Sequence, residues 1–237
     1  MTASSSNQTR PRIVGVIASD ADLQCALHMR APPDLFELRL DRFAETIEQL
    51  ENELPRLPAP LIITARHPDE GGAKKLSLGK RRDLLTRFLP HAKYVDVELR
   101  SAFALRSLLG LAQEKRVRRI ISFHNFRSTP PLRVLAAKAH AARAHGANIF
   151  KAATRTNTPN QLARLLQLVV TEDVDLPVSA MGIGNLGAIS RVLLARAGSV
   201  LIYASITERI DLEGQLSLEQ LRALGIGTPL KRKVVCA

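Results

Sequence analysis

The chain has 237 residues, of which 46% are hydrophobic, and a formal net charge of +12 at pH 7. This composition can bury the core of one large or two small domains, which excludes a chain that is disordered throughout. No run approaches the roughly 18 apolar residues that a membrane-spanning helix needs. Cys25 and Cys236 have neither metal-ligand spacing nor the pattern of a disulfide framework. We therefore expect a soluble, cytoplasmic protein with no metal and no membrane partner.

The strongly basic charge raises the question of nucleic-acid binding. The basic residues are spread along the chain, tryptophan is absent and aromatic residues make up only 4%. Side chains on which bases could stack are therefore scarce. We do not expect nucleic acid as a partner, although a basic non-catalytic binding protein remains an alternative hypothesis.

Short β-type runs alternate with longer helix-type runs along the whole chain after a polar, flexible N-terminal tail at residues 1–10. The predicted strands are residues 13–18, 35–41, 61–66, 94–99, 119–124, 149–154, 177–182 and 200–205. The predicted helices are residues 21–29, 44–53, 80–89, 102–114, 132–145, 160–170, 188–197 and 218–224. These units predict one α/β domain over residues 11–237, a single (β/α)8 TIM barrel.

A doubly wound open sheet also alternates strands with helices and is the competing fold. The polar residues favour the barrel. Glu37, Arg39 and Asp41 share one face of a predicted strand, and Asp96 and Glu98 share one face of another. A parallel strand covered by helices on both faces is nearly all apolar, whereas a barrel strand can direct polar groups to the interior.

The stretch "MGIGNLGAISR", residues 181–191, contains the spacing Gly182-x-Gly184-x-x-Gly187 between a predicted strand and a predicted helix. Glu208 lies where a dinucleotide-binding fold has its ribose-binding acid. However, the stretch belongs to the seventh of eight units, and a dinucleotide fold needs several more strands after that turn. We interpret the glycines as a tight turn at a helix start that favours anions, and expect no cofactor.

Ionisable residues collect at the carboxyl ends of the predicted strands, where barrel enzymes build their active sites. The candidates are Glu37, Arg39, Arg66, His124, Lys151 and Arg191. Lys151 on a buried strand either reaches solvent at the strand end or is an amine nucleophile with a lowered pKa. His124 is structural or transfers protons. The arginines around one cavity imply an anionic substrate.

Other chemistries find no support in the sequence. The remaining histidines have no repeated ligand spacing, so no metal set stands out. The chain has no G-x-S-x-G elbow and no Walker-type phosphate loop. Nucleophilic catalysis by an amine is the mechanism that remains.

These residues, in this order, resemble the type I 3-dehydroquinate dehydratases of the shikimate pathway, over about residues 12–220. The motifs that carry the resemblance are "ELRLD" (37–41), "TARHPDEGG" (64–72), "VDVEL" (95–99), "SFHNF" (122–126), "FKAAT" (150–154), "IGNLGAISR" (183–191) and "EGQ" (213–215). The family is a (β/α)8 barrel, usually a homodimer, which needs no metal or organic cofactor. The resemblance implies dehydration of 3-dehydroquinate to 3-dehydroshikimate through an imine.

The resemblance also implies a role for each candidate. Lys151 would form the Schiff base, His124 would act as base and then acid, and Glu70 would orient His124. Arg191 would hold the substrate carboxylate. The remaining substrate-binding residues would be Glu37, Arg39, Arg66 and Gln215, the last of which closes over the substrate.

The eighth loop departs from the family pattern Ser-Ala-Pro-Gly-Gln, because this sequence has "DLEGQ". Asp211 stands at the serine position, among the substrate-binding residues, and Glu213 stands at the proline position. A carboxylate beside a bound carboxylate is unfavourable, which Arg209 could offset. Another lysine-imine barrel, such as a class I aldolase, is the nearest alternative. The set of Glu37/Arg39, Arg66/Glu70 and His124 favours the dehydratase.

Overall fold

The computed structural model describes residues 10–43, 46–73, 75–171, 173–207 and 212–227. It confirms the predicted barrel, since eight parallel strands pair in the order β7-β6-β5-β4-β3-β2-β1-β8. The strands are β1 (Arg12–Ile17), β2 (Leu35–Arg39), β3 (Leu61–Thr64), β4 (Ala92–Glu98), β5 (Arg118–Asn125), β6 (Ile149–Arg155), β7 (Val178–Ile183) and β8 (Leu201–Ser205). Each lies within a few residues of its prediction. Of the predicted tail, residues 1–10, the first nine lie outside the described residues, so the tail stays a prediction. Arg10 is described and pairs with Asp34.

Helices follow the strands on the outside of the barrel. They are α1 (Asp20–Leu27), α2 (Ile47–Glu53), α3 (Leu78–Phe88), α4 (Leu99–Ala102), α5 (Arg106–Glu114), α6 (Leu132–Ala144), α7 (Pro159–Val170), α8 (Gly187–Ala197) and α9 (Leu218–Ala223). The prediction of one helix over residues 102–114 was wrong: the chain forms α4, a short turn and then α5. The first residues of the predicted helix 44–53 lie outside the described residues.

Local sequence explains where several of these helices begin. The hydroxyls of Ser19 and Ser77 accept hydrogen bonds from backbone N–H groups in the first turns of α1 and α3. Thr158 and Ser217 form full capping boxes with the glutamines three residues on, at the starts of α7 and α9. Each cap binds a backbone N–H that has no partner within the helix, so these chain positions are strong start signals.

The barrel is nearly closed between β7 and β8. The backbone N–H of Val200 donates to the carbonyl of Val178 at 3.0 Å. Side chains provide further links, since Ser179 Oγ donates to the carbonyl of Leu201 at 2.9 Å and the N–H of Ala180 donates to Ser199 Oγ at 3.0 Å. Serine hydroxyls therefore satisfy backbone groups that a regular strand ladder would otherwise pair.

The inward side of the barrel is divided into an apolar layer and a polar layer. The apolar layer, at the amino ends of the strands, contains Val14, Leu35, Ile62, Tyr94, Ile120, Ile149 and Leu201. The polar layer lies two residues further along five of these strands and contains Glu37, Thr64, Asp96, Ser122 and Lys151, all of them buried. Because side chains alternate along a strand, both layers face the same interior. The polar layer forms the floor of the site.

Candidate active site

A cavity of about 280 Å³ opens at the carboxyl ends of the strands. Every predicted site residue that lies among the described residues lines it: Glu37, Arg39, Arg66, Glu70, His124, Lys151, Arg191 and Gln215. Asp211, also predicted as a substrate-binding residue, lies outside the described residues. Parallel strands bring these positions together from across the chain, because all their carboxyl ends meet at one rim.

Lys151 lies on β6 with its ammonium group buried in the cavity floor. Its Nζ donates to Glu37 Oε1 at 3.2 Å and to Asp96 Oδ2 at 3.0 Å. The ring of Tyr203 covers the same nitrogen, with its centroid 3.8 Å away. Two carboxylates and an aromatic face offset the loss of water around the amine. The alternative that Lys151 escapes to solvent is wrong, since only 3% of the residue is exposed.

Arg66 holds the carboxylates of the floor in place from the end of β3. It donates to Asp96 Oδ2 at 2.8 Å, to Glu98 Oε1 at 3.1 Å and to the hydroxyl of Ser122 at 2.7 Å. Burial by itself would lower the pKa of Arg66. The charges of Asp96 and Glu98 outweigh this effect and raise the pKa well above its usual value. The charges of Arg66 and Lys151 likewise outweigh burial and hold the pKa of Asp96 far below its usual value. Arg66 and Asp96 are therefore both held in their charged forms in the floor.

His124 at the end of β5 is bonded to Glu70, which a short 3₁₀ turn, Pro68–Glu70, brings to the rim. Glu70 Oε2 lies 2.9 Å from His124 Nδ1 and also accepts the backbone N–H of His124 at 3.0 Å. When Glu70 is ionised its oxygen can only accept, so Nδ1 then carries the ring proton and the Nε2 lone pair is free.

The protonation of this pair suits a base at neutral pH. Burial lowers the pKa of His124 well below 6.5, and the charges of Arg66 and Lys151 lower it further. Burial raises the pKa of Glu70 to about 7, with the charge of Glu98 adding to the effect. The imidazole is therefore neutral near pH 7 and can accept a proton.

Arg39 and Asp41 form an ion pair at the mouth of the cavity. The guanidinium donates to both carboxylate oxygens at 3.0 and 2.8 Å, and to the carbonyl of Gly71 at 3.0 Å. The prediction that Asp41 is a strand residue beside Arg39 was wrong, because β2 ends at Arg39 and Asp41 lies in the turn that follows. The turn lets the carboxylate fold back onto the guanidinium. Arg39 therefore reaches the cavity with its charge already compensated.

Arg191 differs from Arg39 and Arg66 because it contacts no carboxylate among the described residues. Its guanidinium lies in α8, 1% exposed, and Nη1 donates to the carbonyls of Gly182, Gly187 and Gly214 at 3.0, 3.0 and 2.6 Å. Its Nε is buried without a hydrogen-bond partner. Burial lowers its pKa to about 10, which still leaves it charged near neutral pH. A buried cation without a counterion is suited to hold an anion.

The glycines of the 181–191 stretch allow the eighth loop to approach α8. A Cβ at Gly187 would lie 2.9 Å from the Cα of Gly214, and one at Gly182 would lie 2.7 Å from Ser190 Oγ. Gly184 adopts φ 99°, which side chains disfavour. The spacing that resembles a dinucleotide fingerprint is therefore explained by close packing within the barrel.

Contacts on the eighth loop hold Gln215 at the cavity. The N–H of Gly184 donates to the carbonyl of Glu213 at 3.0 Å, and Arg155 at the end of β6 pairs with the Glu213 carboxylate at 2.7 Å. Glu213, which stands where the resembling family has proline, is thus an ion-pair partner. Gln215 is buried and lines the cavity.

The structure adds three residues to the site that the sequence did not single out as site members. Asp96 is a direct partner of Lys151, Tyr203 covers it, and Arg42 lines the mouth. The alternation of "YVDVEL" placed Asp96 inside the barrel, which was the available signal. Nothing in the pattern around Tyr203 or Arg42 distinguishes them from packing or surface residues.

Among the described residues, no cluster of three or more histidine, cysteine or acidic side chains could hold a metal ion. None of the described helices combines the length and apolarity needed to cross a bilayer.

Fold and site together define a class: (β/α)8-barrel enzymes in which a buried lysine and a carboxylate-bonded histidine face one cavity. The same cavity holds an arginine that meets no carboxylate in the part of the chain that the structure describes. The family model for type I 3-dehydroquinase matches residues 13–224 of this chain. The chain belongs to the type I 3-dehydroquinase family, whose members are hydro-lyases.

Individual relatives agree with this assignment. The chain is 35% identical to the 3-dehydroquinate dehydratase of Pyrococcus abyssi over 194 residues. The matched region covers 81% of this chain and 86% of that protein. It is 34% identical to that of Thermococcus onnurineus, over 89% of this chain and 95% of that protein. The crystal structure of the Aquifex aeolicus enzyme superposes with a TM-score of 0.77 at 30% identity, over 90% of this chain and 96% of that chain.

Proposed function

We propose that the chain dehydrates 3-dehydroquinate to 3-dehydroshikimate, with Lys151 as the amine that forms an imine with the substrate ketone. The observation that carries the proposal is the pairing of a buried amine with a neutral histidine in a cavity where the buried cation Arg191 contacts no carboxylate among the described residues. A carbonyl, a proton to remove and a carboxylate are the substrate features that match these groups. The three groups occur together in 3-dehydroquinate.

The proposed reaction begins at Lys151. Its Nζ passes a proton to the carboxylates around it, attacks the ketone carbon, and the carbonyl oxygen leaves as water. The protonated imine draws electrons from the adjacent carbon, which acidifies the C–H bond there. His124 Nε2 takes that proton and returns one to the hydroxyl on the next carbon, which leaves as a second water. Addition of one water to the product imine releases the enone and restores the amine.

The other residues bind or position. Glu70 is a positioning residue because it bonds Nδ1 of His124 and holds the free nitrogen toward the cavity. Arg191 would bind the substrate carboxylate, and Glu37 and Arg39 would contact its hydroxyls. Arg66 supports this arrangement by holding the carboxylates beside Lys151. Gln215 would close over the substrate. Asp211 would also contact the substrate, a role that rests on the sequence alone.

The imine can be trapped. We expect incubation with 3-dehydroquinate and borohydride to leave a covalent mass on Lys151, located by peptide mass spectrometry. Lys151→Ala removes both the adduct and turnover, whereas Lys93→Ala, an exposed lysine at the start of β4, changes neither. His124→Ala slows turnover more than adduct formation, since the histidine acts after the imine. A protein that neither forms the adduct nor dehydrates the substrate contradicts the proposal.

We also propose that the chain forms a homodimer in the cytoplasm, in a shikimate pathway leading to chorismate and the aromatic amino acids, as the resemblance implies. Exposed apolar side chains on neighbouring helices support an association surface: Val170 on α7, and Ile189 and Leu193 on α8. Analytical ultracentrifugation gives twice the chain mass if this is right, and Ile189→Lys lowers the dimer fraction. A single mass of 26.0 kDa at micromolar protein contradicts the dimer.

A further inference from the structure

Arg42 is a cation of the catalytic cavity that the proposed reaction does not use. It lies in the turn after β2, where its backbone N–H donates to the carbonyl of Arg39 at 2.8 Å. The half-buried side chain lines the cavity, and its Nε is buried without a hydrogen-bond partner. Within the described part of the chain, the guanidinium makes no ion pair. A partly desolvated charge without a partner is costly to maintain unless it serves a ligand.

The carboxylate next to Arg42 in sequence cannot compensate it. Asp41 Oδ1 accepts from Arg39 Nε at 3.0 Å and from the backbone N–H of Arg66 at 3.2 Å. Asp41 Oδ2 accepts from Arg39 Nη2 at 2.8 Å and from the backbone N–H of Ala73 at 3.0 Å. Each oxygen therefore already accepts two hydrogen bonds, which fills its lone pairs.

The other described carboxylates that line the cavity or its mouth are also engaged. Glu37 Oε1 accepts from Lys151 and from the hydroxyl of Thr64, at 3.2 and 2.9 Å. Glu70 is bonded to His124, and Glu213 is paired with Arg155. Of the cations described along the cavity, Arg42 and Arg191 are the two whose charge meets no carboxylate. One substrate carboxylate can compensate only one of them.

We propose that Arg42 forms a second anion subsite in the catalytic cavity, so that six-membered-ring dicarboxylates bind there and compete with the substrate. The planar guanidinium has donors in a fork that matches a carboxylate. The inference rests on the proposed function for the first subsite, in which Arg191 holds the substrate carboxylate. A ligand with one carboxylate then leaves Arg42 uncompensated, whereas a second carboxylate at a suitable ring position compensates it.

Calorimetric titration with a matched ligand series tests the second subsite. The ligands are cyclohexanecarboxylate, the cis and trans 1,3- and 1,4-cyclohexanedicarboxylates, and the corresponding monoamides, in which an uncharged carboxamide replaces one carboxylate at nearly constant shape. In the unaltered protein we expect at least one dicarboxylate to bind about tenfold more tightly than its monoamide, the effect of one charge-assisted hydrogen bond. The same dicarboxylate raises the apparent KM for 3-dehydroquinate without lowering kcat.

Variants then assign the effect to Arg42. Arg42→Gln removes the preference for the dicarboxylate over its monoamide, and Arg42→Lys, which keeps the charge without the fork, retains part of it. Arg82→Gln is the control, because Arg82 is an exposed arginine of α3 whose side chain bonds to its neighbour Asp83. Equal binding of every dicarboxylate and its monoamide, or a preference that survives in Arg42→Gln, overturns the inference.

The two proposals fail in different ways. Borohydride trapping on Lys151 tests the proposed reaction. It does not depend on whether a second carboxylate binds to Arg42. If trapping and dehydration occur but no dicarboxylate is preferred, the second subsite is wrong and the proposed function stands. If the dicarboxylate preference is present but no adduct forms on Lys151, the anion subsites are real and the proposed reaction is wrong.

Discussion

The two layers of the barrel interior are built on the same strands and have opposite chemistry. On β2, Leu35 of the apolar layer and Glu37 of the polar layer are two residues apart, and so are Tyr94 and Asp96 on β4. At the amino ends the side chains are apolar and pack together. At the carboxyl ends they are charged, buried and bonded to one another. The same backbone thus supplies a water-free base and a polar floor directly above it.

The apolar layer determines how the polar layer must be arranged. Because no water reaches the floor from below, each charge there needs a partner from the protein. Arg66 and Lys151 accordingly face Glu37, Asp96 and Glu98 within hydrogen-bonding distance. The comparison predicts that changes in the apolar layer affect stability alone, while changes in the polar layer affect stability and turnover together.

Breaking the buried ion pair Arg81–Glu98, which supports the polar layer from α3, has the largest expected effect. Arg81 of α3 is 1% exposed, pairs with Glu98 Oε2 and donates to the carbonyl of Ala65 at 2.7 Å. Arg81→Met leaves Glu98 with less compensation, so the free energy of unfolding falls by about 3–5 kcal/mol. Turnover falls as well, because Arg66 shares Glu98 with Arg81.

Urea denaturation and steady-state kinetics measure both effects. The control is Arg87→Met on the same helix, because Arg87 is a surface residue paired with Glu51 and its removal costs about 0–1 kcal/mol. Equal stability of the two variants would mean that the buried pair contributes no more than a surface pair.

A cavity in the apolar layer has the next largest expected effect. Ile62 is fully buried beneath Thr64. Ile62→Ala lowers the free energy of unfolding by about 2–5 kcal/mol, and Ile62→Val by about 0.5–1.5 kcal/mol. We expect kcat, measured where each variant is folded, to stay within about twofold of the unaltered protein, since no charged contact is lost. A large fall in kcat for Ile62→Val would contradict the prediction that changes in the apolar layer affect stability alone.

The pH dependence of turnover tests the electrostatics of the polar layer. His124 must be unprotonated to act as a base, and its pKa is lowered well below 6.5 by burial and by the charges of Arg66 and Lys151. Its protonated fraction grows only as the pH falls through that lowered pKa. The neighbouring Glu70 has a pKa of about 7 and can add its own limb to the profile, so the test uses Glu70→Gln, which removes that carboxyl. In this variant we expect kcat/KM to hold down to pH 6.5 and to decline only below it. A limb of folded Glu70→Gln with its midpoint at or above 6.5 contradicts the lowered pKa of His124.

The smallest expected effect lies at the amino end of the barrel, away from the chemistry. Arg116, exposed and just before β5, adopts φ 58°. A side chain costs about 1–2 kcal/mol in this conformation, and glycine avoids the cost while losing about 0.5–1 kcal/mol in backbone entropy. Arg116→Gly should raise the free energy of unfolding by about 0.5–1 kcal/mol with unchanged turnover. A loss of stability would show that the arginine side chain makes a compensating contribution.

Much of the site could be predicted from the sequence because parallel strands bring their carboxyl ends together. Lys151, His124 and Glu37 belong to strands whose order and direction follow from the alternating pattern, so their convergence was predictable. The ion-pair partners that the sequence does not reveal depend on contacts between distant segments. Arg81 reaches Glu98 from the outer helices, and the alternating charge in "YVDVEL" does not reveal which cation each acid binds.

The sequence by itself determined the order of strands and helices, the inward alternation of polar and apolar side chains, and the resemblance that carries Lys151, His124 and Glu70. These features are local, since they depend on periodicity and on short motifs. Only the tertiary structure decided which charges are compensated. It bonds Arg66 to Asp96, which lies 30 residues further along the chain, and among the described residues it leaves Arg191 and Arg42 without carboxylates. Compensation of these charges depends on distances between side chains that periodicity and short motifs do not set.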